Sequence, residues 1–101
     1  MKFTRTQVYR AANKLGVNFD NVDLDTLMEG VKVELEHGLI DKRTNVSNDR
    51  LDITLKIALA HIVEFPDYYV YLDKMERRLE RKWAGRQKPR VFRPRTKNKS
   101  E

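Results

Sequence analysis

Two carboxylate–imidazole pairs are the first residues in this 101-residue chain whose spacing suggests chemistry: Glu34 with His37, and His61 with Glu64. Residues three apart project from the same face of a helix. Helical bundles build metal centres from such pairs, and four nitrogen and oxygen ligands suffice for zinc or non-haem iron. A metal reading therefore places one ion among Glu34, His37, His61 and Glu64. The competing reading is structural. His37 would close a helix end, where a cation suits the dipole, and His61 would bond a core carboxylate or tyrosine hydroxyl. Carboxylate-rich bundle sites draw two further carboxylates from other helices, and the first helical segment here has none, which favours the structural reading. Both pairs also fall near helix C-terminal ends, so a shared ion requires those two helices to run in the same direction.

Other catalytic chemistry is sparse. There is no cysteine, hence no thiol nucleophile, disulfide or cysteine–zinc site. No nucleophile elbow, phosphate loop or dinucleotide fingerprint occurs. The string TNVSND (44–49) offers Asn45, Asn48 and Asp49 as oxygen donors. It lacks the glycine and distal glutamate of an EF-hand, so turn and cap chemistry is the better reading. These absences point to a protein that is not an enzyme and needs no cofactor, a metal ion being the alternative.

The charge distribution is more informative. Residues 1–76 hold 10 Lys/Arg against 13 Asp/Glu, a balance of −3, whereas residues 77–101 hold 11 against 2, a balance of +9. Basicity thus belongs to one end of the chain and implies an anionic partner. The candidate contact residues are Arg78, Arg81, Lys82, Arg86, Lys88, Arg90, Arg93, Arg95, Lys97 and Lys99, with Phe92 among them. Arginine predominates up to Arg95, which suits forked contacts to phosphate. Phe92 suits stacking on a base or filling an apolar pocket.

Four helical segments must position these groups. Thr4 to Gln7 has the form of a capping box, Val8, Ala11, Ala12 and Leu15 recur at helical spacing, and Gly16 supplies a left-handed stop. Phe19 in the following loop is expected to dip into the core. Asp23 caps a second helix, with Leu24, Leu27, Met28, Val31 and Leu35 as its stripe and Gly38 as its stop. Gly30 within it suggests close helix packing. Residues 39–50 carry turn formers and no period. The third helix spans Leu51 to Glu64, is apolar on two faces through Ile53, Leu55, Ile57, Leu59, Ala60 and Ile62, and is expected to be the most buried. Pro66 ends it and suits the start of a fourth helix, running to Ala84 with Tyr69, Leu72, Met75, Leu79 and Trp83 inward. Gly85 closes that helix. The remainder has two prolines and no period, and cannot fold alone.

The strings VELEHG (33–38), TNVSND (44–49), KIALAHIVEFPDYY (56–69) and LDKME (72–76), taken in order, resemble a family of small proteins from bacteriophages, large DNA viruses and bacteria, known as a domain of unknown function. The likeness runs from about Thr6 to Glu76 and implies a compact helical domain of phage or viral origin. It implies no activity, and the segment after Trp83 lies outside it.

The expected fold is therefore all-α, a compact bundle of about four helices over 1–85 with an extended basic tail over 86–101. The expected function is a non-enzymatic binding or structural protein, anchored by its tail to nucleic acid or within a protein–nucleic-acid assembly such as a virion or ribosome-like particle. The alternatives are the metal-binding protein above and a small regulator of an acidic protein surface. The longest apolar run is too short to span a membrane, and MKFTRTQ lacks the apolar stretch of a signal peptide. A cytoplasmic location is expected, or a virion if phage-encoded.

Overall fold

A computed structural model describes residues 2–40 and 42–93. They form four α-helices, α1 (Arg5–Lys14), α2 (Leu24–Ile40), α3 (Leu51–Glu64) and α4 (Tyr68–Trp83), with one 3-10 turn at Lys42–Thr44. Among the described residues there is no strand, so the fold is an all-α bundle as the periodicity implies.

The helix-start signals of α1 and α2 are in place, whereas Asp67 before α4 makes no side-chain cap bond. The Gln7 backbone N–H donates to the Thr4 hydroxyl at 3.1 Å, and the Thr4 N–H donates to the Gln7 side chain at 2.8 Å, completing the capping box. At α2 the Thr26 N–H donates to Asp23 Oδ1 at 2.7 Å, and the Thr26 side chain, followed by this backbone bond, holds that carboxyl below its usual range. Gly16 and Gly85 take positive φ, 80° and 72°, where a side chain would be strained. Phe19 is half-buried and stacks on Tyr9, ring centroids 5.0 Å apart.

Gly38 does not stop α2, which runs to Ile40. Its role is close approach: a Cβ placed there would lie 2.8 Å from Asn45 Nδ2 and 3.3 Å from Asp49 Oδ1. Gly30, two turns earlier, faces Ala58, two turns into α3. The later part of α2 thus lies beside the start of α3 and its earlier part beside the middle of α3, so the two helices are antiparallel. That is opposite to the direction a shared His–Glu metal centre requires. α4 follows α2 in the same direction, with Tyr69 against Gly30 and Glu76 close enough to Glu36 for their charges to interact.

Val8, Ala12, Leu27, Val31, Leu55, Ala58, Ile62 and Tyr69 form the core. α2 shares the central position with α3, each contributing four buried residues. Two expectations of side-chain direction change. In α3 it is Ala58 that is buried while Ala60 is exposed, and polar Thr54 is fully buried. Its hydroxyl bonds the Arg50 carbonyl at 2.6 Å and the Ser47 hydroxyl at 3.0 Å, which satisfies it. In α4 only Tyr69 is fully inward. Leu72 and Trp83 are half-buried, and Met75 and Leu79 face outward. Among the described residues no helix is long and apolar enough to cross a membrane.

Candidate functional site

The polar centre of the bundle is Glu34, on the inner face of α2 and only 6% exposed. Burying a carboxylate is costly unless its oxygens are bonded. Here both are. His37, one turn on, donates from Nε2 to Oε1 at 3.0 Å, as the i, i+3 spacing allows. The Tyr69 hydroxyl of α4 donates to Oε2 at 2.8 Å. From α3, His61 Nε2 stands 3.7 Å from the same Oε2. Burial, then the bond and charge of Glu34, drive the Tyr69 phenol far above its ordinary pKa, so it stays a donor at any physiological pH.

Aromatic contacts fix the imidazole of α3. His61 stacks flat on Tyr68, centroids 4.3 Å apart and planes 6° apart, and meets Tyr69 edge-on at 6.2 Å. Tyr68 and Tyr69 are themselves nearly perpendicular at 5.0 Å. The PDYY string that starts α4 therefore supplies one hydroxyl to the carboxylate and one ring to the histidine. Glu34, His37, His61 and Tyr69 together tie α2, α3 and α4.

Of the four residues in the metal reading, three converge. Glu64 is exposed at the end of α3 and is not a partner of Glu34. Among the described residues no group of three or more His, Cys, Asp or Glu is arranged to hold a metal ion. The arrangement sets His61 beside a core carboxylate, at ion-pair rather than hydrogen-bond distance. It adds the tyrosine donor, which lies 35 positions from Glu34. In the Asn45–Asp49 string, Asn48 and Asp49 take left-handed backbone angles, φ 51° and 61°, in the turn before α3.

The second candidate surface is the basic end. Arg78, Arg81 and Lys82 are exposed on α4, and Arg86, Lys88, Arg90 and Arg93 are exposed along the irregular stretch beyond it. Arg95, Lys97 and Lys99 lie outside the described residues. Phe92 is 40% exposed, and the Arg43 guanidinium lies 3.9 Å over its ring. That contact joins the basic stretch to the 3-10 turn after α2 and makes Arg43 a neighbour of the tail. Sequence spacing gives no sign of it, since 49 positions separate the pair.

A family model described as "Protein of unknown function (DUF5661)" matches residues 8–78. No curated protein and no solved structure matches the chain.

Proposed function

The chain belongs to that DUF5661 family of unknown function, and from that premise we propose that it is a non-enzymatic binding protein whose basic C-terminal segment anchors it to nucleic acid or within a protein–nucleic-acid assembly. The observation that carries this reading is the state of the cations. Among the described residues, Arg78, Arg81, Lys82, Arg86, Lys88, Arg90 and Arg93 are exposed and none is paired with a carboxylate. Arg77, one position earlier, is by contrast bonded to Asp73 at 3.0 Å.

Unpaired arginines along the end of α4 and the irregular stretch beyond it suit a phosphate chain, each neutralised phosphate releasing counterions. The family match ends at Arg78, so most of the anchor cations lie beyond the matched residues. The buried Glu34 cluster serves as the body's internal brace. A virion or ribosome-like particle is the assembly type that best fits a small helical domain with such a tail. The phage and viral resemblance supports a cytoplasmic or virion location.

The test is salt-dependent binding of full-length protein to random duplex and single-stranded oligonucleotides. Replacing Arg90, Arg93 and Arg95 with serine should weaken binding and flatten the salt slope by about 0.7–0.9 for each phosphate no longer neutralised. Phe92→Ala should weaken binding with little change in slope, since stacking releases few ions. Absence of binding at low salt would overturn the reading.

A further inference from the structure

The outward face of α4 carries an apolar stripe that the anchoring role does not use, beside a row of cations of which Arg78 and Lys82 also belong to the anchor. Tyr71, Met75 and Leu79 recur at i, i+4, i+8 and are 62%, 50% and 44% exposed. They line two adjoining grooves. One, of about 430 Å³, has Phe65, Tyr68 and Leu72 as its other apolar walls. The second, of about 600 Å³, shares Tyr71 and Met75 with the first and is rimmed by Lys74, Arg78 and Lys82. The rim cations also recur at i, i+4, i+8, forming a row beside the apolar stripe. Among the described residues none of the three is ion-paired; Lys74 lies 5.1 Å over the Tyr71 ring and Lys82 lies 5.8 Å over the Trp83 ring. From Tyr71 to Lys82 the face extends about 17 Å at 1.5 Å per residue, the length of three helical turns.

We propose that this face docks an acidic amphipathic helix of a partner protein. The apolar stripe would receive the partner's i, i+3, i+4 and i+7 anchors, as in helix-in-groove recognition. The three rim cations would meet carboxylates along the partner's flank, which selects for charge sign and orientation. Charge disfavours the other occupants. A second copy packed antiparallel through the same stripe would bring the Lys74–Arg78–Lys82 rows against each other. The chain's own last residues carry Arg95, Lys97 and Lys99 and would meet like charge. A nucleic acid would engage the cations but leave Met75 and Leu79 without a role.

The experiment uses full-length protein and a labelled synthetic helix of about four turns with leucine anchors and glutamate flanks, read by fluorescence anisotropy. A second peptide carries lysine in place of every glutamate, and a single-stranded oligonucleotide serves as the nucleic-acid probe. The glutamate peptide should bind with a dissociation constant on the order of 10 µM, and the lysine peptide about tenfold or more weaker. Because the basic tail also attracts acidic peptides, the deciding variant is the uncharged pair Met75→Ser with Leu79→Ser. Both positions are exposed, and circular dichroism checks that the helices persist. Peptide affinity should fall about tenfold in that variant while oligonucleotide binding stays unchanged. Triple reversal, Lys74→Glu with Arg78→Glu and Lys82→Glu, should switch preference to the lysine peptide. Unchanged affinity in the serine variant assigns the peptide to the tail and overturns the proposal. Equal binding of the two peptides also overturns it, as does equal loss of oligonucleotide binding in the serine variant.

Discussion

The Tyr69 hydroxyl donates to Glu34 Oε2 at 2.8 Å across 35 positions of chain, and both residues are buried. One oxygen of an interior carboxylate therefore depends on a donor from another helix. Tyr69→Phe removes that donor while keeping the ring against Gly30, and should destabilise the protein by about 1–3 kcal/mol. A double-mutant cycle with Glu34→Gln should show coupling within about 0.5–3 kcal/mol. Urea titration of the four proteins measures it, and additive effects would show that the bond contributes nothing.

The same cluster predicts the response to metal. Glu34 Oε1 and Oε2 are already engaged by His37 and Tyr69, so chelator should leave the melting temperature unchanged and purified protein should carry metal well below one per chain. A zinc-dependent rise in melting temperature that His61→Ala abolishes would reinstate the metal reading.

Gly30 and Gly38 make a paired test of close packing. A Cβ at Gly30 would lie 2.9 Å from both Ala58 Cβ and Tyr69 Cε2, two groups fixed by the core. Gly30→Ala gains roughly 1 kcal/mol in helix propensity but should lose about 1–3 kcal/mol to overpacking. At Gly38 the nearest atoms belong to the Asn45 amide, a side chain of intermediate exposure. Gly38→Ala should be the milder change. Thermal melts of both variants decide, and the reverse order would show the α2–α3 contact to be loose.

Local signals are legible in the sequence and distant ones are not. The capping box at Thr4, the Asp23 cap and the span Leu51–Glu64 each depend on residues a few positions apart, and the structure has all three. The Glu34–His37 pair is visible for the same reason. Tyr69 as its third partner is not, because periodicity says which face a residue occupies and nothing about what lies opposite. Spacing alone points Met75 and Leu79 into the core. Their outward direction shows that the apolar arc of α4 is wider than the part the bundle covers. Thr54 interrupts the apolar pattern of α3, and only the loop hydroxyl of Ser47 and the Arg50 carbonyl explain its burial.

Glu76 predicts a pH effect. Partial burial, followed by the charges of Glu36, Glu80 and Asp73, raises its pKa above the usual carboxylate value. A raised folded-state pKa means that the folded protein holds this proton more tightly than the unfolded chain. The group's contribution to stability therefore declines as pH rises from the ordinary carboxylate range through its raised value. Glu76→Gln should stabilise the protein at pH 7 by about a few tenths of a kcal/mol, the size expected of a solvent-screened surface charge. That gain should vanish on acidification below the ordinary carboxylate range, and shrink in high salt. Melting temperatures measured from acid to neutral pH test the sign; a Glu76→Gln protein less stable than the parent at pH 7 would refute it.

The tail's hold on the body is the last quantity to measure. Phe92 under the Arg43 guanidinium is a contact between the basic stretch and the helical body, and the ring is 40% exposed. An exposed cation–π pair contributes about 0.5–1 kcal/mol, a small fraction of the roughly 5–15 kcal/mol that stabilises a domain. The core residues lie between Val8 and Tyr69, upstream of the tail. A chain ending at Gly85 should therefore retain its helical circular dichroism and melt cooperatively, with a loss no larger than that of Phe92→Ala in the full chain. Hydrogen exchange should place the change at the 3-10 turn Lys42–Thr44 and leave the amides around Glu34 and Thr54 protected. Loss of cooperative melting would show that residues beyond Gly85 belong to the folded unit, and the division of the chain into body and anchor would fall with it.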